Sequence, residues 1–141
     1  MGKINWSRVI LGGLLAGVVL NIFDFLFFNV FMMKQVEAAF HMLGRPMDNS
    51  ARAIVIWVVL DFIIGIALVW VYAVARPRLG AGAGTAVKIG FVAWLLAELT
   101  FAVSMWNLHL MPAGLMLANA VWMLVGAIIA GLCGAWVYKE A

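Results

Sequence analysis

The chain has 141 residues, 67% of them hydrophobic and only 11% charged, where a soluble domain carries about 25% charged residues; a water-soluble globule is excluded. Its nine Lys and Arg residues give a net charge of +3, but they are scattered at segment ends, where they flank membrane spans rather than form a nucleic-acid patch. Cys133 is the only cysteine, which excludes an intrachain disulfide, a CxxC redox pair and a multi-cysteine zinc site.

A spanning helix takes about 20 mainly apolar residues, so four spans and short loops use up this length. The expected fold is therefore all-α: a polytopic four-transmembrane-helix bundle with a short outer interfacial helix, one membrane domain over 1–141. Span one is expected at 6–33, between Lys3 and Arg8 at one end and Lys34 at the other. No small-residue cleavage site follows its apolar run, so it is expected to be retained. The segment KQVEAAFHMLGRPMDNS comes next and is too long for a bare turn. Val36, Ala39, Phe40 and Leu43 share one helical face, which predicts a short surface helix ended by Gly44; an outward extension of span one is the alternative.

Span two is expected over 51–75, opened by the cap signal Asp48-Asn49-Ser50 and stopped by Arg76-Pro77-Arg78. Leu79 to Gly84 reads as a flexible linker. Span three follows over 85–109, and Met111-Pro112-Ala113-Gly114 turns the chain into span four, 115–138. Basic residues concentrate at the ends of the spans nearest the termini, with Lys3, Arg8, Arg76, Arg78, Lys88 and Lys139 against Lys34, Arg45 and Arg52, so both termini are expected to be cytoplasmic. Trp6, Trp70 and Trp136 fit an inner aromatic belt, and Trp57, Trp106 and Trp122 an outer one. IIGIALVWVY (63–72) aligns without gaps on IAGLCGAWVY (129–138), as a duplicated hairpin or convergent interfacial sequence would.

The polar residues inside the spans carry what chemistry there is. At about 100° per residue, Gly13, Gly17, Asn21 and Asp24 fall in one sector of span one, so Asp24 continues a small-residue seam toward other helices. Trp57, Asp61, Gly65 and Tyr72 share a face of span two; Glu98, Ala102, Met105 and His109 share one of span three. Gly126, Ala130 and Gly134 give span four a small-xxx-small face for close packing. By depth, Asp24, Asp61 and Glu98, with Asn21 and Asn119, can meet in one polar cavity. A charge at mid-span costs about 2.5 to 3.5 kcal/mol on insertion scales, against about 0.3 to 0.6 gained per Leu, Ile, Phe or Val. No Lys or Arg stands at matching depth, so the acids are expected to be neutral, paired with amides, or bound to a cation or a partner's base.

Thr100, Ser104 and Asn107 form a second polar stripe opposite Glu98, a candidate face for another subunit or a second copy, unless the hydroxyls bond back to their own helix. Glu37-x-x-x-His41 lacks the second histidine of H-E-x-x-H, and no phosphate-loop, dinucleotide or nucleophile-elbow pattern is present. Neither a metal nor a cofactor is expected, and no catalytic residue is assigned.

INWSRVILGGLLAGVVLNIFDF, with Asn-Trp before Arg, a Gly-Gly pair, and Asn followed by an acid, resembles the start of small four-span bacterial inner-membrane proteins of no assigned activity. That resemblance covers mainly the first 30 residues and implies an inner (plasma) membrane location. Three functions are compatible with the sequence. The first, and the leading expectation on the two-sided polarity of span three and the absence of catalytic motifs, is an accessory or assembly subunit packing on partner membrane helices or on itself. The second is a small transporter passing protons or cations through the carboxylates; the third is a lipid- or isoprenoid-handling enzyme using them as general acids.

Overall fold

In the computed structural model, which describes residues 3–140, every regular element is helical. Asn5 starts the first: its side chain accepts from the Arg8 amide at 3.2 Å and caps α1 (Trp6–Leu26). A π turn, Phe27–Phe31, extends α1, and a break at Met32 (φ −117°, ψ 13°) separates it from α2 (Met33–Met42). Of the two expectations for this segment, the separate helix is the one observed. Its Val36 and Ala39 bury against Leu115 and Met116 at the start of the last helix. Beyond Met42 the Arg45 amide bonds back to Phe40 O and the Gly44 amide to His41 O, closing the helix in a Schellman motif at Gly44.

α3 (Ala51–Leu79) starts at Ser50, whose hydroxyl accepts from the Ala53 amide at 3.2 Å, while the Ser50 amide donates to Asp48 at 2.9 Å. That amide, then the Ser50 hydroxyl, holds the Asp48 carboxyl below the usual aspartate range. Its support for the turn is present above that range and lost as pH falls through the lowered pKa. Ser50→Ala should cost about 1 kcal/mol and speed amide exchange at Ala53 and Ile54; unchanged exchange would contradict the cap.

α3 does not stop at Ala75 as expected but runs through Pro77 to Leu79. Proline already has helical φ, and so near the C-terminus it removes one hydrogen bond without forcing an exit. The linker is likewise shorter and more tied down than expected. Gly80 (φ 86°) and Gly82 (φ 122°) supply the positive φ that the reversal needs. Thr85 Oγ1 donates to Leu79 O or Gly80 O (3.1 and 2.8 Å), and the Gly82 amide donates to Tyr72 OH at 3.0 Å. The third span is α4 (Ala83–Trp94), a second π turn at Leu95–Leu99, and α5 (Thr100–Asn107). α6 (Ala113–Val137) is the fourth.

The stretches Trp6–Phe31, Ala51–Leu79, Ala83–Asn107 and Ala113–Val137 are each long and apolar enough to cross a membrane. α1 packs on α3 and α6, and α4 packs on α6, so the bundle is two hairpins joined through α1 and α6. Half of the apolar window of α6 is buried, more than in any other span, because it is small on two sides. Gly126 and Gly134 face α1, whereas Ala127 and Gly131 face α4. The chain ends meet: the Asn5 amide lies 3.5 Å from Tyr138 OH, Tyr138 packs edge-on against Tyr72 (centroids 6.0 Å apart), and Arg76 stacks over Tyr138 beside Glu140.

A candidate intramembrane carboxylate site

Bare backbone brings the two helices of each hairpin together. Gly13 and Gly17 sit against Ile66 and Phe62, and a Cβ on Gly65 would fall on Gly13 O and Gly17 N. The other hairpin repeats the device: Gly131 faces Ala86 O and Gly90, and Gly90 faces Ala127 and Ile128. Ala86-x-x-x-Gly90 thus plays against Gly131 the part that Gly13-x-x-x-Gly17 plays against Gly65, the glycine aligned with Gly131 in the sequence repeat. The acids follow from this equivalence. Asp24 stands seven residues beyond Gly17 and Glu98 eight beyond Gly90, and the π turn at Leu95–Leu99 takes up the extra residue.

On a regular helix the buried face through Ala86 and Gly90 would be out of phase with Glu98 and Ala102 by about 100°, one residue's rotation. The wide turn absorbs that rotation and brings Glu98 inward. π turns of this kind are frequent at functional sites.

Asp24, Asp61 and Glu98 consequently face one region of the bundle, near enough for Asp24 and Glu98 each to act electrostatically on Asp61, and Asp24 on Glu98. Asp61 is 7% exposed; Asp24 and Glu98 are half-buried. The Asn119 amide, 2% exposed, donates to Glu98, while its Oδ1 is buried without a partner. Asn21 belongs to the seam rather than to this cluster, its amide directed to Gly17 O (2.9 Å) and Val58 O (3.4 Å). Among the described residues the one salt bridge is Arg76 to Glu140 at 3.8 Å, so no base answers the three acids. They also do not close on a metal: no group of three or more His, Cys, Asp or Glu among the described residues is arranged to hold one.

No family model matches the chain, and neither the curated proteins nor the solved structures contain a match. Function must therefore be argued from the site itself.

Two tryptophans tie α6 to the spans that carry Asp24 and Glu98. Trp122 Nε1 donates to Phe23 O at 2.9 Å, next to Asp24, and its ring lies 5.0 Å from that of Phe23 and 5.2 Å from that of Phe31. Trp94, one turn before Glu98, donates to Ala120 O at 2.8 Å, next to Asn119. Interhelical hydrogen bonds in membranes average about 0.6 kcal/mol, with a maximum of about 1.7. Trp94→Phe and Trp122→Phe should each lower unfolding stability in detergent by about that much; losses of several kcal/mol would show that the rings, not the bonds, matter.

Trp57 does not join Asp61, Gly65 and Tyr72 in the interior. It is 59% exposed, since α3 stands exposed from Ile54 to Leu60 although the Asn21 amide still reaches Val58 O. His109, expected on the Glu98 face, lies just past α5 with φ 55° and is exposed. Of the second stripe, Thr100 bonds back to Leu95 O at 3.2 Å, Asn107 is exposed and Ser104 is half-buried. The sequence reading missed Gly12, Gly90 and Gly131 as packing residues, although the small-xxx-small spacing of Ala86 and Gly90 was there to find. It also missed both π turns, for which only the phase mismatch in span three gave a signal.

Proposed function

We propose that this is a small transporter-like membrane protein that handles protons or cations at the Asp24, Asp61 and Glu98 site. The observation that carries this reading is that acids from three different spans share one field, with no basic residue to neutralise them and a buried amide oxygen beside Glu98 left unpaired. Buried acceptors in that number attract a proton or a cation. An enzymatic role gains less support, because no nucleophile or metal-ligand set accompanies the acids. We place the chain in a bacterial inner membrane with both termini cytoplasmic, on the resemblance of its opening and on the excess of Lys and Arg at that end.

The test is flux. Protein reconstituted into lipid vesicles should pass protons or monovalent cations, and Asp61→Asn should reduce the rate to that of empty vesicles. Vesicles that pass neither would overturn the proposal.

The accessory-subunit reading is supported by one observation: the apolar residues of α3 from Ile54 to Leu60 are exposed, so another membrane helix can lie there. Its earlier support from Thr100 is weaker, since that hydroxyl is satisfied within its own helix. Purification from the native membrane in mild detergent separates the two readings: a clean monomer counts against a subunit.

A further inference from the structure

We propose that the end of the bundle opposite the chain termini carries a binding site for a soft monovalent metal ion of the Cu(I) class, with the thioethers of Met42 and Met111 and the imidazole of His109 as its donors. The site is separate from the three carboxylates and does not depend on how they are read.

Residue placement gives the first indication. Seven of the nine methionines and both histidines fall within residues 32–47 and 105–116, the two connections that close this end and the helix turns beside them. Methionine serving only as flexible apolar filler would be spread along the spans, where most apolar positions are.

The fold then brings three of these donors to one cavity. Met42 ends α2, His109 and Met111 follow α5, and all three line a cavity of about 350 Å³ together with Trp106. The other lining side chains are Ala, Leu and Pro, so no carboxylate, hydroxyl or thiol competes there. Donor chemistry selects the ion. Hard cations need oxygen ligands, and zinc sites are built from thiolates, carboxylates or several imidazoles. Thioethers select Cu(I), and imidazole suits copper as well. Ring faces attract cations, and Trp106 brings an indole to the same cavity.

Backbone geometry singles out His109. The Leu110 amide donates to Met105 O at 3.0 Å and the His109 amide to Trp106 O at 2.9 Å, ending α5 in the same Schellman motif that ends α2. In α2 the left-handed position is Gly44 (φ 67°); in α5 it is His109 (φ 55°), the one non-glycine residue at positive φ among the described residues. Glycine is usual there, and side chains held in that region against the backbone's preference cluster at ligand clamps. The Met111 amide, also on Met105 O at 3.3 Å, ties a second donor to the same turn. Met111 packs on the core beneath, whereas Met42 is 81% exposed and, with three rotatable bonds, is free to close over an ion.

The probe is Ag(I), a redox-stable stand-in for Cu(I), added as the nitrate in chloride-free buffer to the full-length Cys133→Ser protein in zwitterionic lipid nanodiscs. Binding is read by equilibrium dialysis, and the donors by NMR of methyl-labelled methionine. Saturable uptake of one ion per chain is expected, with the methyl signals of Met42 and Met111 shifting and that of Met33, exposed outside the cavity, staying in place. Met42→Leu and Met111→Leu, which conserve volume, should each weaken binding about tenfold or more, since losing even a supporting group costs a metal site about 10- to 100-fold. His109→Gly should weaken binding as much while its unfolding midpoint without silver holds or rises, because glycine suits the left-handed position. That result separates a lost ligand from a damaged fold. Met33→Leu should bind like its parent, and zinc should not compete. Silver taken up with equal affinity by the parent and by the Met42→Leu, Met111→Leu, His109→Gly triple variant would overturn the inference, as would methyl shifts confined to other methionines or the lack of saturable uptake.

Discussion

Gly65→Leu is expected to leave no stable bundle, and Gly65→Ala to lower the unfolding midpoint in detergent already. A Cβ at residue 65 meets Gly13 O and Gly17 N, backbone on backbone, so no side chain can swing aside. Overpacking a core costs about 1 to 3 kcal/mol when side chains can rearrange; here the two helices must part. In lipid the loss is not offset elsewhere, because helix association there depends on close packing rather than on hydrophobic transfer. Gly114→Ala is the matched control. It lies in the first turn of α6 with open space around it, and alanine is better than glycine in a helix by about 1 kcal/mol, so its midpoint should hold or rise. If both variants shift the midpoint alike, the contact of α1 with α3 is not as described.

Asp61→Asn is expected to separate function from stability. The amide is nearly isosteric and, like a neutral carboxyl group, brings no charge into the low-dielectric interior. The folded variant should therefore be at least as stable as wild type while its proton or cation flux falls to the background of empty vesicles. A residue kept only to glue helices together would do the reverse, lowering the midpoint by about a hydrogen bond's worth, 1 kcal/mol or less, and leaving flux alone. Measuring both quantities on one preparation distinguishes these outcomes.

The sequence was most legible where one physical rule dominates. Apolar run length located four spans, and the 3.6-residue period placed Gly13, Gly17, Asn21 and Asp24 on one side of span one, the side that meets α3. Ser50 was visible as a cap. The rule for Pro77 failed because a missing amide near a helix end is a small loss, not a stop. Trp57 was misplaced because helix phase says which residues share a face, not how closely a neighbour covers them; from Ile54 to Leu60 α3 stands exposed beside α1. Both π turns arise from packing, since the inner and outer parts of a span must each present the right face to α6. A strictly regular helix therefore gave Glu98 the correct depth without explaining how it turns inward. No residue pattern on its own distinguishes a packing acid from a ligand-binding one, and the unpaired oxygen of Asn119 is visible only in the structure.

The convergence of acids from separate spans is tested most directly by cross-linking cysteine pairs in a Cys133→Ser background, using a short bifunctional thiol reagent in native-like membranes. Asp61→Cys combined with Glu98→Cys should cross-link efficiently, whereas Asp61→Cys combined with Leu96→Cys, whose side chain is 70% exposed on the same span as Glu98, should not. Equal yields, or a preference for the Leu96 pair, would contradict a shared site.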